Sequence, residues 1–464
     1  MLKAALVALS ALAIRVWLIF QYPIVFGGDS MLRLVNRDHI VLSHQLPLLQ
    51  LLVWVVSRIS TGTVAIRIVM ALIGALAAVA FYYVARDFAG ERAAFVGSLL
   101  FSTNPFITPI STVPYQEILL LAGLFAAFYF FLAGRTAAAA IFLAAACLTR
   151  FEAWIACPIL AAAWFLEASR TVRRAMTAVV LFAWAPIAWT LFRGGLAPEG
   201  SYVLDRGISL ARFFRLSYLG AYTVRETPVP VLLLAAAGLT LLVVDGRWRD
   251  RHWLILGVYL AIFAVAILFS AHGDLPDPER IVTTREIHVP LAVVTLLATV
   301  AIARFPRAGA VLAGAGVVLG VWGSIEYIRH ETSRPEMRLG YELAQYLDAH
   351  VQPGEQVLIL AQPPNLELHF RKALETGGEA GLAAAHRAIE GAGVLPLDVQ
   401  RTIIHLNRVP RGQVFAFPRV PAHVDWVAAW SDFGPGNEWS ERARDRPDMR
   451  LRVESRSVAV RRVR

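Results

Sequence analysis

Charge is scarce in this sequence, and lysine is nearly missing. Only 17% of its 464 residues are charged against 57% hydrophobic, and lysine occurs only at Lys3 and Lys372. Such a chain is too apolar for an ordinary soluble protein and too charged to lie in a membrane throughout. Cysteine is just as sparse. Cys147 and Cys157 both lie in apolar runs, which reads as two core thiols and no disulfide framework. No internal repeat and no nucleic-acid module is present. Residues 326–464 contain no GxGxxG, P-loop, zinc-ligand spacing or hydrolase elbow, which excludes the chemistries those motifs carry. The first apolar stretch, Met1 to Phe20, carries one lysine near its start. It is expected to remain as an uncleaved first helix.

What is present is a series of apolar runs. A membrane-crossing helix needs about 20 mostly apolar residues. Eleven candidates meet this loosely: 3–20, 64–85, 93–110, 116–133, 136–149, 153–168, 175–192, 229–244, 253–270, 289–304 and 308–325. The run Leu46 to Ile59 is short, holds Gln50 and ends at Arg58. It reads as a helix lying at the interface. Trp54, Trp154 and Trp189 near run ends suit interfacial anchoring.

The basic excess, a net charge of +10, is nearly all arginine set between the runs. These arginines read as topology signals and anionic-lipid contacts. With a cytoplasmic N-terminus, eleven crossings put Arg86/Arg92, Arg135, Arg170/Arg173/Arg174, Arg247/Arg249/Arg251 and Arg304/Arg307 all in cytoplasmic loops. A crossing at 46–59 would flip that parity, so the positive-inside rule argues against one. The outer face then collects Asp29, Glu117, Arg150, Glu152, Tyr202, Asp205, Arg206, His272, Asp274, Asp277, Glu279, Arg280, Arg285, Glu286 and His288. Ionisable groups near membrane depth are costly without partners and mark functional sites by default. Taken singly, each suits a structural ion pair. Taken as a set on one face, they point to a site. The run from Asp274 to Glu279 reads as a solvated loop.

Residues 326–464 read as a small α/β domain outside the membrane, following a polytopic, mainly α part at 1–325. Met337 to His350, Glu379 to Gly391 and Leu397 to Asn407 have helical patterns. Gln356 to Leu360, Val414 to Phe417, Trp426 to Trp430 and the alternating runs from Leu451 and Ser457 read as strands.

Four stretches resemble the GT-C glycosyltransferases, in particular the branch of protein O-mannosyltransferases and lipid A aminoarabinose transferases. They are Arg15 followed by Gly28-Asp29-Ser30; His44-x-x-Pro47-Leu48; Ala65-Ile-Arg67 leading through Tyr83-Val-Ala-Arg86-Asp-Phe-Ala-Gly90 to Asn104-Pro105 and Glu117; and Leu148-Thr149-Arg150-Phe151-Glu152. Arg285, five residues before Pro290, is similar to that family's late-loop arginine. Where the family has Asp-Glu, this chain has Asp29-Ser30, and residues after 325 match nothing in it.

The resemblance implies an integral-membrane enzyme that takes a sugar from a polyprenyl phosphate and gives it to an extracytoplasmic lipid, glycan or protein. It implies a multi-pass protein of a bacterial inner membrane, with its C-terminal domain periplasmic or extracellular. An attacking hydroxyl or amine must lose a proton, so a carboxylate serves as base. Asp29 is the candidate, with Glu117 as a second catalytic carboxylate. The bland alternative is that Asp29 only N-caps a helix after Gly27-Gly28. A departing lipid phosphate needs fixed cations, for which Arg150, Arg280 and Arg285 are candidates. Glu117 and Glu152 could bind sugar hydroxyls, hold an arginine or supply metal oxygens. A divalent metal is not favoured, because Ser30 is a poor oxygen donor beside Asp29. His288 joins the substrate-binding set, as does His44, whose bland reading is a hydrogen bond to a loop carbonyl. The rival class is a transporter or lipid flippase, which calls for repeats and mid-span breaks. A structural envelope component is the third reading.

Overall fold

The computed structural model describes residues 2–42, 46–60, 62–167, 171–192, 213–269, 287–361, 397–416, 421–431, 438–445, 447–453 and 456–463. His44, Arg280, Arg285 and the helix expected at 379–391 lie outside them. The helices begin with α1 (Leu2–Gln21), α2 (Gly28–Val35), α3 (Pro47–Ile59), α4 (Thr63–Ala89), α5 (Glu91–Ser102), α6 (Ile107–Ile110), α7 (Gln116–Leu132) and α8 (Thr136–Cys147). A 3-10 turn at Phe151–Ile155 then leads into α9 (Ala156–Leu166). They continue as α10 (Val172–Phe192), α11 (Phe213–Arg225), α12 (Val229–Val244), α13 (Arg251–Phe269), α14 (His288–Arg304), α15 (Pro306–Ser333), α16 (Pro335–His350), α17 (Leu397–Ile403) and α18 (Glu438–Asp445). The strands are β1 (Val357–Leu360), β2 (Val414–Ala416), β3 (Trp426–Trp430), β4 (Met449–Val453) and β5 (Arg456–Arg462).

The chain divides into two compact units. One comprises Met1–Gln21, Arg37–Val56 and Ile66–Ile328; the other comprises Tyr22–Asn36, Ser57–Ala65 and Arg329–Arg464. In the first unit every apolar run read from the sequence carries helix. Among the described residues four helices, α1, α4, α10 and α15, are long and apolar enough to cross a membrane. Helices α7, α8, α9, α12, α13 and α14 are apolar but shorter, so the count of eleven crossings is not established by length.

The run 93–110 is not one helix. Pro105 has no N–H to donate, and the Asn104 side-chain oxygen accepts the amides of Phe106 and Ile107 at 3.0 Å each. Helix α5 therefore stops at Ser102, and α6 is a single turn. A broken helix in an apolar bundle frees carbonyls that water cannot reach. Two fully buried arginines satisfy them. Arg15 donates through Nε to Ser111 Oγ at 2.6 Å and through Nη1 to Ser102 O at 3.3 Å. Arg67 Nε donates to Thr112 O at 2.9 Å. Helix α11 is a second departure, because 193–228 reads as a loop. With Arg215 and Arg225 in 13 residues, it fails the length test applied to spans.

One end of this unit is tied together by the loops that the positive-inside rule assigned to one side. Lys3 pairs with Glu91 at 3.1 Å, Arg247 donates to Phe88 O at 3.1 Å, and Arg251 pairs with Glu167. Arg174 lies over the Trp164 ring, 4.2 Å from its centre.

The second unit holds a five-stranded sheet in the order β2-β1-β3-β5-β4. Strand β1 runs parallel to β2 and β3, while β5 is antiparallel to β3 and β4. The unbroken apolar runs of β1 and β3 are what a strand covered on both faces requires. Val357, Ile359, Ala428 and Trp430 pack with Leu339, Leu343 and Leu347 of α16. Leu358, Leu360, Val427 and Ala429 pack with Ala443 of α18. Glu355 stitches the sheet edge: its carboxylate accepts the Gln352 amide and the Trp426 indole, each at 2.8 Å, and pairs with Arg462. Burial pushes that carboxyl up, but these partners outweigh burial and hold it below the usual carboxylate range.

Helix α12 lies against α14 so closely that a Cβ on Gly238 would sit 1.9 Å from the Leu297 carbonyl oxygen. Small residues permit such approach in membrane bundles. Gly238→Leu should abolish recovery of folded protein, since backbone cannot yield as a side chain does, and even ordinary overpacking costs about 1–3 kcal/mol. Gly257→Leu, where an added Cβ meets nothing within 4 Å, should leave the melting temperature of the detergent-purified protein unchanged. Equal melting curves for the two variants would refute the close packing.

Candidate active site

Glu117 occupies the first turn of α7 and is 1% exposed. Arg150 follows the end of α8, where its amide still closes on Ala146 O at 3.1 Å, and its extended backbone leads into the Phe151–Ile155 turn. Its guanidinium donates through Nη1 to Glu117 Oε1 at 2.6 Å and through Nε to Glu152 Oε1 at 2.8 Å, with Nη2 on the same Glu152 oxygen. Carboxylates on two sides thus hold one cation, and the arginine fork is fixed in plane. Of the three roles the sequence left open for Glu117 and Glu152, the structure shows this one, the holding of an arginine.

The loop carrying Arg150 is secured from several directions. Thr149 Oγ1 donates to Ala145 O at 2.8 Å, and Trp154 Nε1 donates to Cys147 O at 2.9 Å. The Leu48 amide, at the start of α3, donates to Leu148 O at 2.9 Å. Two of the sequence stretches that carried the family resemblance, Pro47-Leu48 and Leu148-Thr149-Arg150, therefore meet. Cys147 and Cys157 face each other across this loop as free thiols, their sulfurs 3.4 Å apart.

His288 opens α14, is fully buried, and lies within electrostatic range of Glu152. Tyr259 Oη lies 3.4 Å from the Glu152 carbonyl oxygen. Tyrosine 259 also lines an apolar cavity of about 90 Å³ together with Leu121, Phe125, Ala156, Val289 and Leu296. Leu121 is one turn beyond Glu117, Ala156 one turn beyond Glu152, and Val289 next to His288. The polar cluster therefore borders the head of an apolar hollow. Sequence reasoning missed Tyr259, because a lone tyrosine in the apolar run 253–270 carries no signal of its own.

Asp29 belongs to the other unit. It sits half-buried in the first turn of α2, whose N-cap is Gly27 at φ 84°. The reading of Asp29 as that helix's N-cap is thereby corrected: Gly27 fills the position, and its positive φ explains why glycine stands there. Asp29 is instead a first-turn acid, placed favourably for the helix dipole. Arg33, four residues on, is fully buried. Glu117, Arg150, Glu152 and His288 are thus brought together, while Asp29 is described within its own unit. Among the described residues no group of three or more His, Cys, Asp or Glu side chains is arranged to hold a metal ion.

Removing Arg150 would take from the buried Glu117 the cation it pairs with, a loss of about 3–5 kcal/mol in comparable buried pairs. Arg150→Ala should lower the melting temperature of the purified protein, and Arg150→Lys should recover part of it, since lysine keeps the charge without the fork. A melting temperature unchanged in Arg150→Ala would show that the pairing adds nothing to stability.

No protein-family model and no curated protein sequence matches the chain. Solved structures do. ArnT from Cupriavidus metallidurans bound to undecaprenyl phosphate matches over 98% of this chain and 96% of its own, with a TM-score of 0.58 at 15% identity. Its apo state gives a TM-score of 0.57 over the same shares at 15% identity. The Archaeoglobus fulgidus oligosaccharyltransferase, in complex with Zn and sulfate, matches over 92% of this chain and 67% of its own, with a TM-score of 0.51 at 12% identity. At these identities the likeness is one of fold, and it runs through almost the whole chain. The chain shares the fold of ArnT and of that oligosaccharyltransferase, in line with the resemblance that its scattered motifs carry.

Proposed function

We propose that the protein is an integral-membrane glycosyltransferase that moves a sugar from a polyprenyl-phosphate donor to an extracytoplasmic acceptor. One observation carries the reading: an arginine braced by two carboxylates at the head of an apolar cavity, within a GT-C fold. The undecaprenyl phosphate bound to one structural neighbour supports a polyprenyl-phosphate partner here.

In this reading the acceptor hydroxyl or amine attacks the anomeric carbon as the carbon–oxygen bond to the phosphate breaks. Asp29 takes the acceptor proton, and the polyprenyl phosphate leaves with the bonding electrons. Arg150, with Arg280 and Arg285, meets the charge growing on that phosphate. Glu117 and Glu152 fix Arg150 before the donor arrives, so little reorganisation is needed as charge develops. Glu117 acts here through Arg150. The apolar cavity beside Tyr259 receives the first hydrocarbon of the donor's tail, and His288 and His44 complete the polar surround. The loops joined through Lys3, Arg247 and Arg251 face the cytoplasm, which puts Arg150 on the outer side of the membrane.

The test uses the purified full chain with a polyprenyl-phosphate-linked sugar. Asp29→Asn should lower the transfer rate by about 10²-fold or more, the contribution of a general base, with expression unchanged. Asparagine keeps the shape and loses the proton acceptor. Near wild-type transfer by Asp29→Asn would remove Asp29 from the chemistry.

A further inference from the structure

The helix carrying Asp29 is short. An isolated helix of eight residues is not stable in water, and its last carbonyls have no partners within the helix. In α2 three of the last four carbonyls are met by groups outside the helix. Leu32 O accepts the Asn36 amide at 3.1 Å and its side-chain Nδ2 at 2.8 Å. Leu34 O and Val35 O both accept from Arg411 Nη1, at 2.8 and 3.0 Å. Arg411 lies 376 residues after Val35 in sequence. A cation at a helix C-terminus also answers the helix dipole.

Arg411 is itself held by a rigid frame. It begins a 3-10 turn, Arg411–Gln413, that runs directly into β2, and Val414 is registered against Val357 of β1. Just upstream, the Asp348 carboxylate of α16 accepts three successive amides, from Asn407, Arg408 and Val409, at 2.7, 2.9 and 3.0 Å. Arg411 is thus fixed from both sides by the sheet and by α16. At the opposite end of α2, Gly27 turns the chain at positive φ, a hinge that does not set the helix direction by itself.

We propose that Arg411 is a positioning residue: it clamps the C-terminal end of α2 to the C-terminal sheet and so fixes the placement of Asp29 for proton removal. This rests on Asp29 being the base. It gives the C-terminal α/β domain a part in the chemistry without contact between that domain and the substrate. The helix is about 12 Å long, so freedom at its clamped end is carried to the carboxylate at the other.

The experiment measures transfer kinetics and amide hydrogen exchange in the full-length protein with Arg411→Ala, Arg411→Lys, Asp348→Asn and Asp29→Asn. Arg411→Ala should speed exchange in residues 31–36 and lower kcat by up to about 10²-fold, the scale of a misplaced catalytic group, while KM for the donor is unchanged. Arg411→Lys should recover part of both, and Asp348→Asn should loosen the same segment. If Arg411→Ala does not fold, the other two carry the test. Unchanged exchange across α2, or faster exchange with wild-type kcat, overturns the clamp. A silent Asp29→Asn overturns the base reading whatever Arg411 does. An inactive Asp29→Asn beside a fully active Arg411→Ala overturns the clamp alone.

Discussion

A guanidinium inside an apolar bundle must be paired, and in this protein the pairing of Arg150 with Glu117 and Glu152 sets the arrangement around it. The three groups come from the start of α7 and from the loop between α8 and α9. Pairing that one cation therefore ties the start of α7 to the loop between α8 and α9. The Leu48–Leu148 hydrogen bond brings α3 to the same point. The cavity beside it is lined by aliphatic and aromatic side chains, with Tyr259 reaching back to the Glu152 carbonyl oxygen. The arrangement that stabilises the fold here is also the one that, in the function we propose, presents a preset arginine to a charged ligand.

The same physics acts a second time at Arg15 and Arg67. Both arginines donate to carbonyl and hydroxyl oxygens of the broken segment 102–112. A proline and a capping asparagine interrupt the helix, and buried arginines meet the polar groups that the interruption exposes. Helix α15 closes over the break, where Gly320 leaves room for the Thr103 carbonyl oxygen, 2.3 Å from where a Cβ would stand. The interruption is thus a sealed structural joint, and α7 leaves it with Glu117 in its first turn.

Much of this was legible in the sequence. Hydropathy located the helices of the first unit because lipid-facing segments must satisfy their backbone internally and stay apolar over their length. The strands β1 and β3 were legible as unbroken apolar runs, since both faces of the sheet are covered. What was hidden had physical reasons. Helix α11 is too short and too polar for a rule built on membrane thickness. The stop after Ser102 depends on one asparagine side chain, which an apolar average smooths away. Arg15 and Arg67 were visible as family-like residues, but their job depends on a hydroxyl 96 positions away and a carbonyl 45 positions away. The helix N-cap lies two residues before Asp29, at Gly27, and glycine and aspartate are both common at helix starts. Arg411 gave no signal at all: it is one arginine among many, and its partners are backbone atoms of a distant helix.

The central claim is that the end of the bundle holding Arg150 receives a lipid phosphate. The most direct measurement is a structure of the full chain with a polyprenyl phosphate bound. The account predicts phosphate oxygens about 3 Å from the Arg150 guanidinium, with the first isoprene units lying along Leu121, Tyr259 and Leu296. A phosphate bound instead at the opposite end, among Lys3, Arg247 and Arg251, would contradict it.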